Sequence, residues 1–188
     1  MPRLKAITEA DLDAEQRAVF EAIQGGPRGN MGLVGPFAVY VRAPKVGNAT
    51  QALGAAVRFG TALAENVKEV AICTVGAHFH SKFEYAAHTV LAKKAGVSAS
   101  IIESLRIGEV PVFGDERERI AHEVTSQLLV NHRLSDELYA KATRILGETQ
   151  LIELVTTVGY YSLVSLTLNA FEVPLRDGMT DPFPALPG

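Results

Sequence analysis

The sequence contains no tryptophan and only one cysteine, Cys73, among its 188 residues. A single cysteine excludes an intramolecular disulfide, and it excludes the CxxC pair on which thiol redox enzymes depend. A chain without disulfides suits a reducing compartment. Residues 1–16 lack the apolar core and the small-residue cleavage site of a secretion signal. We therefore expect a cytoplasmic protein.

An excess of charge of one sign is also lacking, since the net charge is -3 and the sequence pI is near 6.0. This balance provides no general field for nucleic acid or for an anionic membrane, so we expect neither as a partner. Residues 154–171 carry no charged side chain, but Thr, Ser and Asn interrupt them, which favours a buried helix over a membrane span. The 47% content of hydrophobic residues leaves room for a subunit interface, so we expect a homo-oligomer.

The hydrophobic spacing predicts an all-α protein with one domain over residues 1–175. Ser or Asp stands at the start of the shorter helical patterns, as an N-cap requires. The Gly- and Pro-rich residues 25–36 predict a loop of the kind that often borders a site. The Pro-rich residues 176–188 predict an extended or disordered tail. The helical patterns cover residues 8–26, 45–59, 66–77, 81–95, 98–105, 115–133, 135–146 and 150–172.

A faint internal similarity relates residues 63–90 to residues 146–173, with seven identities in 28 aligned positions. Duplication of a helical unit and chance similarity between two apolar helices both remain open. The polar residues of the first segment are lost in the second: Glu69 becomes Ile152, Ser81 becomes Val164, Glu84 becomes Thr167 and His88 becomes Phe171. This asymmetry indicates that the first segment carries the chemistry.

The stretch "HFHSKFEYAAH", residues 78–88, contains the candidate site. Ser81 and Glu84 have the spacing of a capping box, which predicts a helix start without any function. On that helix Ser81, Glu84 and His88 form one stripe at i, i+3 and i+7. A carboxylate beside an imidazole raises the imidazole pKa and fixes its tautomer, as a general acid or base near neutral pH requires.

A metal site is the alternative interpretation of the same stretch. His80, Glu84 and His88 have i, i+4, i+8 spacing, and His78 could be a fourth ligand. His80 precedes the helix start, however, and the spacing lacks the HExxH form of a zinc site. We therefore expect neither a metal nor another cofactor. Cys73 lies in an apolar helix, where a thiol is usually a packing residue.

The sequence resembles the carboxymuconolactone decarboxylase family, which includes the alkylhydroperoxidase D-like proteins. The resemblance covers most of the chain and rests on the order of "GPFAVYVRAP", "VKEVAICTV", "FEYAAH", "AKKAGVS" and "LIELVTTVGYY". It implies an all-helical fold and assembly into trimers or hexamers. Redox members carry a glutamate, a CxxC pair and a histidine as a proton relay. Glu69 and His88 match the glutamate and the histidine, whereas Ser81 and Glu84 occupy the cysteine positions.

Serine and glutamate cannot cycle through a disulfide, so CxxC-dependent peroxidase activity is not expected. The resemblance instead implies a cofactor-independent decarboxylase that acts on a small carboxylated lactone or ring-cleavage product. In this hypothesis His88 donates a proton, and Glu84 or Glu69 orients it. A lactone hydrolase or isomerase with the same Glu/His site, and a non-catalytic helical oligomer, remain alternatives. The residues that we expect to contact the substrate are Arg58, Ser81, Tyr85 and His80.

Overall fold

A computed structural model describes residues 2–183, and within that range the chain forms helices and no β-strand. The all-α prediction is confirmed. A short 3₁₀ turn at Glu9–Asp11 precedes the first α-helix. A four-residue helix, α2, was not predicted from the sequence. The helices are α1 (Ala14–Gln24), α2 (Phe37–Tyr40), α3 (Pro44–Phe59), α4 (Glu65–His78), α5 (Lys82–Lys94), α6 (Ala99–Ile107), α7 (Glu116–Asn131), α8 (Asp136–Leu146) and α9 (Glu148–Ala170).

Local capping explains where several of these helices begin and end. The side chains of Ser98, Asp115 and Ser135 each accept a hydrogen bond from a backbone N–H in the first turn of α6, α7 and α8. These bonds satisfy amide groups that have no partner inside the helix. Gly96 and Gly108 follow the last turns of α5 and α6 with φ of 92° and 78°, a left-handed conformation that glycine adopts without strain.

Helix α4 is the centre of the protein. Its residues 67–76 are all buried, because α5, α7 and α9 pack around it. Most of these residues are apolar, as is typical of a helix surrounded by others, but the charged residues Lys68 and Glu69 are buried among them. Cys73 lies within this stretch and is 1% exposed, so it is a packing residue as expected. Burial raises the pKa of its thiol well above the ordinary value, which makes Cys73 a poor nucleophile.

Helix α9, for which a buried helix was expected in preference to a membrane span, is only partly buried. Leu154 and Val158 are buried against α4, but Ile152, Leu163 and Leu166 on the outer side are 60%, 43% and 55% exposed. The helix is long and apolar enough to cross a membrane by length and composition alone, and half of its most apolar window is buried inside the protein. One apolar stripe of α9 therefore forms core, and the other remains on the surface.

The two similar segments do not have the same structure. The first consists of α4 and α5, which are separated by a turn at residues 79–81 where His80 has a φ of 46°. The second is the single continuous helix α9, which ends at Ala170, with no turn at the matching residues 162–164. The similarity is thus not a repeated helix pair, and only the first segment brings its two halves face to face.

Two irregular segments complete the structure around α5. Residues 25–36 join α1 to α2 as the predicted loop. Residues 176–183 of the tail have no helix or strand, and Lys82 Nζ lies 2.6 Å from Asp181 Oδ2. Phe183 packs against Tyr85 with 5.0 Å between the ring centroids. The rest of the predicted tail, residues 184–188, lies outside the described residues.

Candidate functional site

The turn between α4 and α5 creates the site, because it reverses the chain and lays α5 back along α4. The backbone N–H of Ser81 donates to the carbonyl of Gly76 at 2.9 Å and closes this turn. Glu69 on α4 and His88 on α5 then meet, although they are nineteen residues apart in sequence. Glu69 Oε2 lies 2.8 Å from His88 Nδ1.

The other ring nitrogen of His88 is also held by a carboxylate. His88 Nε2 lies 3.2 Å from Glu84 Oε2, one helical turn earlier on α5. The three residues are buried, with exposed fractions of 0% for Glu69, 5% for Glu84 and 8% for His88. Both nitrogens can donate only when the ring is protonated, so this arrangement selects the imidazolium form.

The pKa of His88 is shifted accordingly. Burial alone would lower it, because a low-dielectric environment disfavours the charged ring. The negative charge of Glu69 and the hydrogen bonds to Glu69 and Glu84 outweigh burial and raise the pKa of His88 to about 9. His88 therefore holds a proton at neutral pH, and the two carboxylates fix the orientation of the ring.

Arg58, at the end of α3, completes the buried charge network. Its Nη2 atom lies 3.1 Å from Glu69 Oε1, and its Nη1 atom donates to Glu65 Oε2 at 2.5 Å. Glu69 is consequently placed between two cations, Arg58 and His88. The Arg58 guanidinium faces two protein carboxylates, and Arg58 also lines the cavity beside His88, so its expected contact with a substrate carboxylate stays a prediction. Its contact with Glu69 helps to hold in place the carboxylate that faces His88.

A cavity of about 320 Å³ opens beside the network, and both Glu84 and His88 line it, whereas Glu69 lies behind them. The volume suits a small-molecule ligand. The ring of Tyr161 meets that of His88 edge-on, with 4.9 Å between centroids. The apolar side chains of the lining are Met31, Pro36, Phe37, Phe59, Phe83, Ala87, Leu91 and Val164. Proton-transfer groups thus face a largely apolar space.

Three predicted substrate contacts lie elsewhere. Ser81 is fully buried away from the cavity lining, and its hydroxyl makes no capping hydrogen bond. Tyr85 is 1% exposed in the core, where its hydroxyl donates to the carbonyl of Ile102. His80 borders a separate groove of about 850 Å³. The expected roles of Ser81, Tyr85 and His80 in substrate binding are corrected on this basis.

The predicted capping box is wrong for a related reason. The carboxylate of Glu84 turns towards His88 instead of the backbone of Ser81. A buried imidazolium is a stronger partner for a carboxylate than an amide at a helix start. Ser81 still occupies the N-cap position of α5, so the helix begins where the sequence indicates.

The histidines of the alternative metal set do not come together. His78 and His80 line the separate groove, while His88 lines the cavity. Among residues 2–183 no group of three His, Cys, Asp or Glu side chains has the geometry to hold a metal ion. The site is accordingly interpreted through its acid and base groups.

Sequence reasoning missed four polar residues that line the cavity: Arg28, Tyr160, Tyr161 and Arg176. Arg28 belongs to the Gly-rich loop of residues 25–36, whose composition did indicate the border of a site. Tyr160 stands on α9, in the segment that was assigned to packing. Arg176 belongs to the tail, and no sequence signal connected it with α5.

No protein-family model matches the chain, and no curated protein matches it.

Proposed function

We propose that this protein is a cofactor-independent enzyme that decarboxylates a small carboxylated lactone or ring-cleavage product, as the resemblance to the carboxymuconolactone decarboxylases implies. The observation that carries the proposal is the imidazole of His88, held between Glu69 and Glu84 at the wall of an apolar cavity. Strongly shifted titratable groups that face a cavity are characteristic of catalytic sites.

The cavity suits the electronic demands of the reaction. The bond between the substrate carbon and its carboxylate breaks, CO₂ leaves, and the electron pair moves into a conjugated carbonyl to give an enolate. Apolar walls favour this step, because a charged carboxylate becomes neutral CO₂ there. The enolate carbon then takes a proton from His88, directly or through Glu84. Water returns a proton to the imidazole, so the enzyme regains its initial state.

Each member of the network has a distinct part in this mechanism. Glu84 and His88 line the cavity and exchange the proton with the substrate. Glu69 and Arg58 act through His88 as positioning residues, since Glu69 contacts the ring and Arg58 contacts Glu69. Buried charges are costly compared with apolar packing, and their retention here supports catalysis over a purely structural contact.

Hydrolysis or isomerisation of a lactone is the second candidate, and the exposure of the Glu84 carboxylate to the cavity favours it. A carboxylate in this place can take a proton from a water molecule or from an activated C–H group. The products separate the two candidates, because only decarboxylation releases CO₂.

The experiment is an assay of wild-type protein and His88→Gln with 4-carboxymuconolactone and related lactones, following CO₂ release and substrate loss. We expect His88→Gln to be at least about a hundredfold slower, as loss of a general acid predicts. His122→Gln is a matched control, because His122 is a partly buried histidine in the separate groove. Circular dichroism establishes that each variant is folded.

Three results are informative. Release of CO₂ that depends on His88 supports decarboxylation. Substrate loss without CO₂ selects hydrolysis or isomerisation. Failure to consume any of the lactones, or equal activity of wild type and His88→Gln, refutes the proposal and leaves the non-catalytic alternative.

We also propose that the protein is a homo-oligomer, a trimer or hexamer as the resemblance implies. Ile152, Leu163 and Leu166 form an exposed apolar stripe on α9, and Phe59 near the cavity is 49% exposed. Exposed apolar surface of this kind is typical of a subunit interface. Light scattering coupled to gel filtration should give three or six times the 20.2 kDa chain mass, and a monomer would contradict the proposal.

A further inference from the structure

A phenol and a guanidinium lie close together on the wall of the cavity. Tyr160 belongs to α9 and Arg28 to the loop between α1 and α2, and both line the cavity. A Cβ atom added to Gly54 on α3 would lie 2.0 Å from the Tyr160 hydroxyl oxygen and 2.6 Å from Arg28 Nη2. Glycine at this position therefore leaves room for both polar groups, and they form one polar spot in a largely apolar cavity.

The guanidinium of Arg28 is held in place and still has an unused donor. Its central carbon lies 5.3 Å from the ring centroid of Phe37, and stacking of this kind leaves the N–H groups at the edge available. Arg28 Nη1 is buried and has no hydrogen-bond partner within residues 2–183. Buried donors are normally paired, so this atom indicates a ligand that brings an acceptor oxygen.

The hydroxyl of Tyr160 supplies a second donor. The side chain is 6% exposed, and burial raises the pKa of Tyr160 to about 12, against the charge of Arg28 and together with the charge of Glu84. The phenol consequently keeps its proton at neutral pH and can donate it in a hydrogen bond. The positive charge of Arg28 beside the oxygen polarises the O–H bond and strengthens this donor.

Tyr161 separates this pair of donors from the imidazole of His88. Its ring centroid lies 5.2 Å from that of Tyr160 and 4.9 Å from that of His88, and both contacts are edge-on. The hydroxyl of Tyr161 is not an equivalent donor, because Arg58, the cation that opposes the effect of burial on its pKa, already faces two protein carboxylates. A ligand that contacts both the donor pair and His88 must therefore extend past one aromatic ring.

We propose that the hydroxyl of Tyr160 and the guanidinium of Arg28 form an oxyanion site, which binds the carbonyl oxygen that becomes negative when CO₂ leaves. The inference rests on the proposed function for the decarboxylation step. It defines the substrate class as a ketone or lactone whose carbonyl group is conjugated with the carbon that His88 protonates. Donors that are fixed before the reaction stabilise developing charge without the cost of reorganisation.

The electron pair moves across the cavity and back during the reaction. The bond to the leaving carboxylate breaks, and its electron pair passes through the conjugated bonds to the carbonyl oxygen. Tyr160 and Arg28 hold this enolate oxygen by hydrogen bonds and keep their own protons. The pair then returns to carbon, which forms its new bond to the proton from His88. Tyr160 and Arg28 thus stabilise the charge, while His88 supplies the proton.

Binding of 4-nitrophenol tests the oxyanion site without turnover, because its ionised form is coloured and carries negative charge on a conjugated oxygen. Absorbance of the full chain with this probe, at a pH below the solution pKa of the probe, measures the ionised fraction. Calorimetry measures the affinity. We expect wild type to bind the phenolate, since two donors and a positive charge stabilise it. Tyr160→Phe and Arg28→Gln should each weaken phenolate binding at least about tenfold, as loss of a hydrogen bond to a charged group predicts.

The methyl ether 4-nitroanisole distinguishes loss of the oxyanion site from damage to the cavity. It has no ionisable oxygen, so Tyr160→Phe and Arg28→Gln should bind it within about twofold of wild type. Arg28→Lys keeps the charge but loses the paired N–H groups, and its affinity for the phenolate should lie between wild type and Arg28→Gln. Tyr139→Phe, which alters an exposed tyrosine on α8, is the matched control. Arg176→Gln removes a positive charge from the same cavity and leaves the donor pair intact.

The charged or ionisable groups that line the cavity are Arg28, Arg58, Glu84, His88, Tyr160, Tyr161 and Arg176. The proposal is overturned if wild type does not bind 4-nitrophenol in its ionised form, or if Tyr160→Phe binds the phenolate as tightly as wild type. It is also overturned if Tyr161→Phe weakens the phenolate as much as Tyr160→Phe. An equal loss in Arg176→Gln and Arg28→Gln would show that only the total charge matters, and would overturn it as well.

Kinetics with 4-carboxymuconolactone distinguish this inference from the proposed function. If wild type releases no CO₂ but binds the phenolate through Tyr160 and Arg28, the decarboxylase proposal fails and the oxyanion site stands. If wild type releases CO₂ and Tyr160→Phe has an unchanged kcat, the oxyanion site fails and the decarboxylase proposal stands. A kcat that is lower by about a hundredfold in Tyr160→Phe, with a smaller change in KM, supports both.

Discussion

Raising the pH from 6 to 9 should destabilise the fold through His88. The pKa of this residue is raised from 6.5 to about 9 in the folded protein, chiefly through Glu69 and against the effect of burial. A group whose folded pKa is raised stabilises the fold fully below its unfolded pKa, and the stabilisation is lost as the pH rises through the folded pKa. At 1.36 kcal/mol for each unit, the loss between pH 6 and pH 9 is about 3 kcal/mol.

Urea unfolding of wild type at pH 6, 7, 8 and 9 measures this loss directly. The variant Glu69→Gln is the informative comparison, because it keeps the size of the side chain and removes the charge that does most to raise the His88 pKa. Its stability should depend much less on pH over the same range. Burial also raises the pKa of the Cys73 thiol well above its ordinary value, and because burial is the largest cause, the two proteins share most of this effect.

Proton NMR of the histidine rings measures the pKa of His88 directly, without unfolding the protein. The chain has five histidines, and His88→Gln identifies the resonance of His88. A titration midpoint at or below 6.5 would refute the electrostatic argument, because burial would then outweigh the two carboxylates. An equal slope of stability against pH in wild type and Glu69→Gln would refute it as well.

The remaining predictions concern stability and access. Ellman's reagent should fail to label Cys73 in native buffer and label it fully in urea, because the thiol is buried; rapid native labelling would contradict this packing. Gly47→Ala should destabilise the fold by about 3 kcal/mol in urea unfolding, because the added Cβ would lie 2.0 Å from the carbonyl oxygen of Tyr40. An unchanged free energy of unfolding would contradict the close approach of α2 and α3. Ser98→Ala should cost about 1 kcal/mol by thermal unfolding through its lost N-cap, whereas Ser100→Ala on the same turn should cost less.

The helical architecture could be predicted because its signals are local. Hydrophobic spacing and caps depend on residues within one or two turns, and the starts of α6, α7 and α8 followed from Ser98, Asp115 and Ser135. The exposed side of α9 could not be predicted in the same way. Its apolar residues occur all around the helix, so spacing does not distinguish the stripe that packs on α4 from the stripe that faces outwards.

The site was predictable where one helix determines the geometry. Glu84 and His88 are one turn apart on α5, so their proximity follows from helical spacing. Tyr85 follows Glu84 by one position, which rotates it by about 100° towards the core. The contact of Glu69 with His88 depends on how α4 and α5 pair, and the sequence supported it only through the family resemblance. Arginine partners were the least predictable, since a long flexible side chain can reach several carboxylates.

The bend at residues 79–81 has a consequence for comparing sequences. Along an uninterrupted helix, two residues nineteen positions apart would be separated by about 28 Å. The reversal of the chain reduces this separation to hydrogen-bond length between Glu69 and His88. Their counterparts in the second segment, Ile152 and Phe171, stand at opposite ends of α9. Placing Glu and His at those two positions would reproduce the residues of the pair without bringing them into contact. A search for sites of this kind should therefore require the interruption between the two residues as well as their spacing.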